Sequence, residues 1–204
     1  MSEHYFTESP SSEARTRELH LELAGHEVTV ETVSGTFSPT RLDLGTAVLL
    51  RHLPEPPPGD VLDLGCGWGP IALHTALEAR DAEVDLRVWA LDVNSRSLET
   101  TAANARRLGL ESIRTVTAEE IPAEVEFTAI RSNPPIRIGK EALHELLETW
   151  LPRLAPGGRA DLVVSKNLGA DSLQKWIAGM LGDGFEVVRT GSSKGFRVLT
   201  VHRD

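Results

Sequence analysis

No stretch of this sequence restricts the fold more than residues 61–70. Val61-Leu62-Asp63-Leu64 is an apolar run of strand type. It passes directly into Gly65-Cys66-Gly67-Trp68-Gly69 and then Pro70. A buried strand that turns through alternate glycines and reopens at a proline reads as strand, tight turn, helix. Pro70 suits the first helical turn, where its missing N–H costs nothing. Three glycines weaken ordinary structure; in return they permit positive φ and a close approach of a ligand to the backbone. The helix N-terminus adds free N–H groups and a partial positive charge. The dinucleotide fingerprint G-x-G-x-x-G would need glycine where Pro70 stands.

The rest of the chain extends this unit into a repeating order. Its 204 residues suit one domain, and 40% apolar content can fill one core. Aromatic residues are only 5%, so the core is expected to be aliphatic and alanine-rich. Residues 1–16 are polar. Leu19, Leu21 and Leu23, then Val28 and Val30, alternate with polar residues around Ala24-Gly25, which predicts a β-hairpin. Thr36 to Ser38 is expected as a short strand. Leu42 to Leu53 is expected as a helix, stopped by Pro54 and Pro56-Pro57-Pro58. Helices are predicted over 70–79, 95–108, 139–151 and 171–181, with Leu98, Ala102, Ala105 and Leu108 on the inner face of the second. Strands are predicted over 61–64, 86–93, 113–117, 127–132, 160–164, 185–190 and 196–201, the fifth after a turn at Pro156-Gly157-Gly158. This alternation implies an α/β fold: a mostly parallel sheet with helices on both faces. The last two strands are too close for a crossover helix and must pair antiparallel.

Several function classes are disfavoured. The single cysteine, Cys66, excludes a disulfide framework and a multi-cysteine zinc site. His144-Glu145 has Glu148 where a zinc helix would place its second histidine, so no metal is expected. No apolar run approaches a membrane span, and Met1 to Phe6 lacks signal-peptide character; the expectation is a soluble, cytoplasmic protein. The net charge of −9 argues against a general nucleic-acid binder but leaves room for a local basic surface.

Two further features carry chemistry. Asp92 closes the second strand of the alternating region, where a carboxylate can accept from both hydroxyls of a ribose. Asn133-Pro134-Pro135-Ile136 closes the fourth, at the edge where an open α/β sheet presents its crevice. An exocyclic amine on a purine is a poor nucleophile because its lone pair is delocalised into the ring. Acceptors for both amine protons pull the nitrogen toward tetrahedral geometry and free that pair. The Asn133 side-chain oxygen and the Pro134 carbonyl can be those acceptors. The paired prolines hold the segment extended and remove competing N–H groups.

The pattern D-x-G-x-G-x-G over 63–69, followed by N-P-P-I, resembles the class I S-adenosylmethionine (SAM) methyltransferases that act on an amino nitrogen of a planar group. Ser132 to Lys140 looks most like the small-subunit ribosomal RNA guanine-N2 methyltransferases. His4 to Pro10, Gly35 to Ser38, Leu42 to Thr46 and Lys194 to Val198 agree. The resemblance implies a Rossmann-like fold with a seven-stranded sheet, an antiparallel final strand and an N-terminal β-hairpin extension. That extension would occupy 1–38 and the methyltransferase domain 39–204. Asp63, Gly65, Cys66, Gly67 and Gly69 would lie beside the amino-acid end of SAM. Asp92, with Val93 beside it, would take the ribose, and Glu119 (or Glu120) the adenine. Phe37, Gly45 and Thr46 would line the same pocket, and Asn133 to Ile136 would hold the acceptor amine. Arg137, Lys140, Lys194 and Arg197 would meet RNA phosphate.

Ile136 stands where many amino-methyltransferases carry an aromatic residue. Long bacterial members also bear a second, N-terminal domain resembling the catalytic one; this sequence is expected to correspond to the catalytic half, as a monomer or homodimer. Ribosomal RNA or the small ribosomal subunit is the expected partner. The alternatives are another acceptor (adenine, a glutamine side chain or a small molecule) or a non-catalytic SAM-binding, RNA-associated module.

Overall fold

A computed structural model of the protein describes residues 15–135 and 139–204. The chain opens with the expected hairpin, β1 (Thr16–Leu23) and β2 (His26–Val33), paired antiparallel from Thr16↔Val33 to Leu23↔His26. Its turn residues Ala24 and Gly25 both have positive φ, 50° and 76°, which suits the right-handed twist of a two-residue hairpin.

A seven-stranded sheet follows. Its strands are β3 (Gly59–Leu64), β4 (Leu86–Leu91), β5 (Ile113–Val116), β6 (Phe127–Ser132), β7 (Leu154–Ser165), β8 (Phe185–Ser193) and β9 (Phe196–Arg203). The spatial order is β5-β4-β3-β6-β7-β9-β8. β3 to β7 pair in parallel, and β9 is antiparallel to both β7 and β8. The strand order reverses between β3 and β6. The carboxyl ends of those two strands therefore flank the switch-point crevice, and both motifs end there.

The two faces bury separate apolar clusters. Val61, Val88, Ala129, Val163 and Val198 face α1 (Leu44–Leu50), α2 (Pro70–Asp81) and the hairpin residues Leu23, Val28 and Val30. Leu62, Leu64, Leu91, Ile130, Leu162 and Leu199 face α4 (Lys140–Trp150) and α5 (Ala170–Leu181). Alternate residues of the same strands feed opposite clusters, as the period of a strand requires. No described helix is long and apolar enough to cross a membrane.

Local expectations differ from the structure in five places. Thr36 to Ser38 forms turns rather than a strand: the Thr36 hydroxyl donates to the Val33 carbonyl at 2.7 Å, and Ser38 has φ of 47°. α1 is shorter than 42–53, because Asp43 caps its start by accepting from the Thr46 N–H at 3.1 Å and Arg51 caps its end. β4 stops at Leu91, because Asp92 Oδ1 accepts the Asn94 N–H at 2.9 Å and turns the chain. β7 absorbs Pro156-Gly157-Gly158 through a register shift opposite Phe127 and Ala129.

The fifth difference concerns α3 (Ser95–Arg107). It buries Ser97, Thr100, Thr101 and Asn104 together with Ala105, while Leu98 and Ala102 are only half-buried. The helix faces backbone carbonyls there. Thr101 donates to the Gly67 carbonyl at 3.0 Å, and Asn104 donates to those of Trp68 (3.1 Å) and Glu31 (2.8 Å). Asn104 Oδ1 also accepts the Glu31 N–H at 2.7 Å. Buried polar groups need such partners.

Candidate active site

The switch-point crevice is a cavity of about 580 Å³. One end lies between the glycine turn and the segment after the hairpin, with Thr36, Phe37, Gly65, Gly67, Asp92, Val93 and Ala118 on its walls. The other lies beyond Asn133, Pro134 and Pro135, where Leu146, Trp150, Leu168 and Phe196 add apolar surface. Asp43 and Ser165 also line it.

The glycine turn is built as its sequence implies. Gly65, Gly67 and Gly69 have φ of 79°, 58° and 95°. Gly69 caps α2, and a Cβ there would stand 2.8 Å from the Thr101 methyl, so α3 itself demands glycine. Gly65 and Cys66 both donate their N–H to the Leu91 carbonyl at 2.9 Å, which ties the turn to the end of β4. The Asp92 carboxylate completes the tie by accepting the Gly67 N–H at 2.9 Å. Burial raises the pKa of Asp92, opposed by the N–H groups of Asn94 and Gly67.

Asp63 and Cys66 stand behind this wall rather than on it. Asp63 is buried, with Oδ2 accepting the Ala72 N–H at 2.9 Å and Oδ1 without a hydrogen bond among the described residues. Burial pushes its pKa up to about 7, helped by the charge of Asp92 and opposed by the Ala72 N–H and by Arg131. Arg131 is its register partner on β6 and in turn faces Asp161 on β7. Arg131 is itself buried, and its guanidinium donates to the Thr75 hydroxyl and the Pro54 carbonyl. The Cys66 thiol packs against Thr101, and burial pushes its pKa up, away from thiolate chemistry.

Asn133 is held with unusual completeness. Its Nδ2 donates to Asp43 Oδ2 at 2.9 Å and to Thr46 Oγ1 at 3.0 Å. A carboxylate can only accept, so this pairing fixes which end of the amide is nitrogen. Both donors are used, and Oδ1 is left as the open acceptor among the described residues. Beneath it, the Ser132 hydroxyl donates to the Leu64 carbonyl at 2.6 Å and joins the ends of β6 and β3. Gly45 sits against this clamp: a Cβ there would stand 2.9 Å from Asp43 Oδ2 and from the Phe196 ring.

The crevice thus brings together Phe37, Gly65, Gly67, Asp92, Val93, Asn133, Pro134 and Pro135, with Gly45, Thr46 and Gly69 one layer behind. Glu119 is not on the wall. It is exposed on the short 3-10 turn Ala118–Glu120, and Ala118 takes the wall position. The turn's own backbone and the Thr117 hydroxyl lower the pKa of Glu119. Glu120 accepts the Thr117 N–H at 2.7 Å. Lys140 and Lys194 are exposed, whereas Arg197 is mostly buried and pairs with Asp171. Ile136 and Arg137 lie outside the described residues. Sequence reasoning missed Asp43, Ser132, Thr101, Asn104 and Phe196. Only Asp43 left a readable signal: an acid three positions before Thr46 at a helix start is an N-cap pattern.

A doubly wound sheet with a glycine turn and an Asn-Pro-Pro segment on either side of its switch point has the layout of a Rossmann-like methyltransferase. The chain belongs to the methyltransferase small domain family, whose match covers residues 27–200. A Bacillus subtilis protein, YbxB, is 32% identical over 84% of this chain and 86% of its own length. The ribosomal RNA small subunit methyltransferase C of Pseudomonas aeruginosa is 35% identical over 87% of this chain and 55% of its own. The chain thus spans about half the length of that relative. A T. thermophilus 16S rRNA N2 methyltransferase (RsmC), solved with AdoMet and guanosine, superposes with a TM-score of 0.77 at 22% identity, over 96% of this chain and 52% of the other.

Proposed function

We propose that this methyltransferase uses SAM to methylate the exocyclic N2 amine of a guanine in small-subunit ribosomal RNA. The observation that carries the reading is the clamped amide of Asn133: its two donors are held by Asp43 and Thr46, and its oxygen is left to accept. A binding module has no need of an acceptor fixed in that way. The names of the relatives support the RNA and the small subunit.

The residues of the crevice suit the donor. Gly65 and Gly67 leave their side of the cavity free of side chains, and a Cβ on Gly67 would already touch Phe37 at 3.7 Å. Asp92 presents on the wall a carboxylate that accepts the Gly67 and Asn94 N–H groups and also meets the Val93 N–H and the Ser97 hydroxyl; it is the acceptor we assign to the ribose hydroxyls. The cavity volume lies in the usual range for a small-molecule site. When bound, SAM supplies an electrophilic methyl group on a sulfonium. The chain's own work is positional. Asn133 Oδ1 and the Pro134 carbonyl accept the two amine protons, and Leu146, Leu168 and Phe196 offer the base apolar surface. Orientation and fixed dipoles then govern the rate; the methylated nitrogen, a strongly acidic ammonium, loses its extra proton to solvent, so no strong general base is required. Lys140 and Lys194 meet phosphate at the mouth. Residues 1–38 serve as an extension to the catalytic domain 39–204, and the protein acts in the cytoplasm.

The test is transfer of labelled methyl from SAM to assembled small subunits, naked small-subunit RNA and transfer RNA, with nucleoside analysis of the product. N2-methylguanosine in the small-subunit RNA is expected. Labelled adenine, labelled protein or no label at all would overturn the reading.

A further inference from the structure

Asp43 does more than cap a helix. Its Oδ2 takes the Thr46 N–H and the Asn133 amide, at 3.1 and 2.9 Å. Its Oδ1 has no hydrogen-bond partner among the described residues, and the side chain lines the same cavity as Asn133, Pro134 and Phe196. Asp43 and Asn133 therefore each bring an unpartnered acceptor oxygen, among the described residues, to the same cavity.

That pair matches one edge of one base. Guanine presents N1–H and the N2 amine as adjacent donors. Adenine presents its amine beside N1, an acceptor, which a carboxylate repels. We propose that Asp43 is the specificity-determining residue that accepts the guanine N1–H, while Asn133 Oδ1 accepts the neighbouring amine proton and the Pro134 carbonyl the other. This inference rests on the guanine-N2 reading and adds the atom that selects the base. The apolar neighbours Leu146, Leu168 and Phe196 strengthen the choice. Where the bound base covers the carboxylate, one that leaves it unpaired bears the cost of desolvating it. No aromatic residue in the Asn-Pro-Pro segment is then needed to choose the base.

The substitution Asp43→Asn tests this, because it keeps an oxygen for Thr46 and Asn133, and asparagine caps helices as well as aspartate. It replaces the open oxygen by an NH₂ donor. The substrate is a short RNA carrying the mapped acceptor nucleotide, made with guanine or with 2-aminopurine there. 2-Aminopurine keeps the reacting amine but has an unprotonated N1. The wild-type protein is expected to prefer guanine by about 10- to 100-fold in kcat/KM, the span of one good base contact. In Asp43→Asn the preference collapses or inverts, with SAM affinity unchanged. Asp43→Ser, which retains a cap oxygen whose hydroxyl can accept as well as donate, lowers the preference without inverting it and serves if the asparagine variant does not fold.

An unchanged preference in the variants overturns the assignment, as does an equal loss on both RNAs accompanied by weakened SAM binding, which would place Asp43 on the donor side. Absence of any guanine methylation by the wild-type protein would instead sink the underlying reading, and the two failures are distinct.

Discussion

Two single residues have effects that can be separated by measurement. On the proposed reading, Asn133 acts on the acceptor and not on the donor. Asn133→Ala should lower methyl transfer by about 100-fold or more, as loss of a fixed polar contact to the reacting group does. SAM affinity, read by calorimetry, should stay nearly constant; a parallel loss of SAM binding would move Asn133 to the donor side of the crevice. Asp63 acts on stability through its proton. Folding raises its pKa from 3.8 to about 7, chiefly by burial. The folded state therefore holds more protons than the unfolded state between those values, and stability falls as pH rises through the window. A shift of that size corresponds to at most about 4 kcal/mol. Asp63→Asn keeps the oxygen that accepts the Ala72 N–H and cannot ionise. Its stability advantage over the wild-type protein should grow from pH 4 to 7 and level off above. A difference that is flat with pH, in denaturant titrations of the ligand-free protein, would contradict the assignment.

Among the elements, α3 has the least expected role. Its buried Thr101 and Asn104 fasten the glycine turn on one side and β2 on the other. Asn104→Ala would strand the carbonyls of Trp68 and Glu31 and the Glu31 N–H. It should cost about 2–4 kcal/mol of unfolding free energy, since each unsatisfied buried group costs about 1–3 kcal/mol. Urea titration checks this, and a loss under about 0.5 kcal/mol, the level of a neutral surface change, would show that water takes over those groups. In this helix the sequence shows only part of the buried face: Ala105 is buried and Leu98 and Leu108 pack against the core, but the other buried positions are polar. Counting apolar residues picks Leu98, Ala102, Ala105 and Leu108 as the inner stripe. A polar face satisfied by neighbouring backbone has the composition of one that faces water, and periodicity cannot tell them apart. The other elements are legible because their neighbours are apolar: α4 and α5 bury leucines, an isoleucine and a tryptophan that their spacing predicts. The glycine turn and Asn-Pro-Pro are legible because backbone geometry leaves its mark on residue type. The Asp43–Asn133 pair is not, because its members lie 90 positions apart and each is ordinary alone.

At the scale of the whole molecule, charge decides how an RNA is met. A chain of net charge −9 repels phosphate, so binding must draw on a few local cations. Lys140 and Lys194 are exposed, while Arg197 is held by Asp171. Lys140→Ala and Lys194→Ala should each weaken RNA binding and reduce the slope of log affinity against log salt by about 0.7 to 1. Arg197→Ala should leave the slope unchanged and loosen α5 instead. Equal slopes in all three variants would move the phosphate contacts elsewhere. The long-range ties also set an order of assembly. Glu31 waits for Asn104, 73 positions later, before the glycine turn is braced, and Asp43 waits for Asn133. As the chain leaves the ribosome, the donor-side residues emerge before Asn133 does. The two halves of one crevice are thus synthesised at different moments.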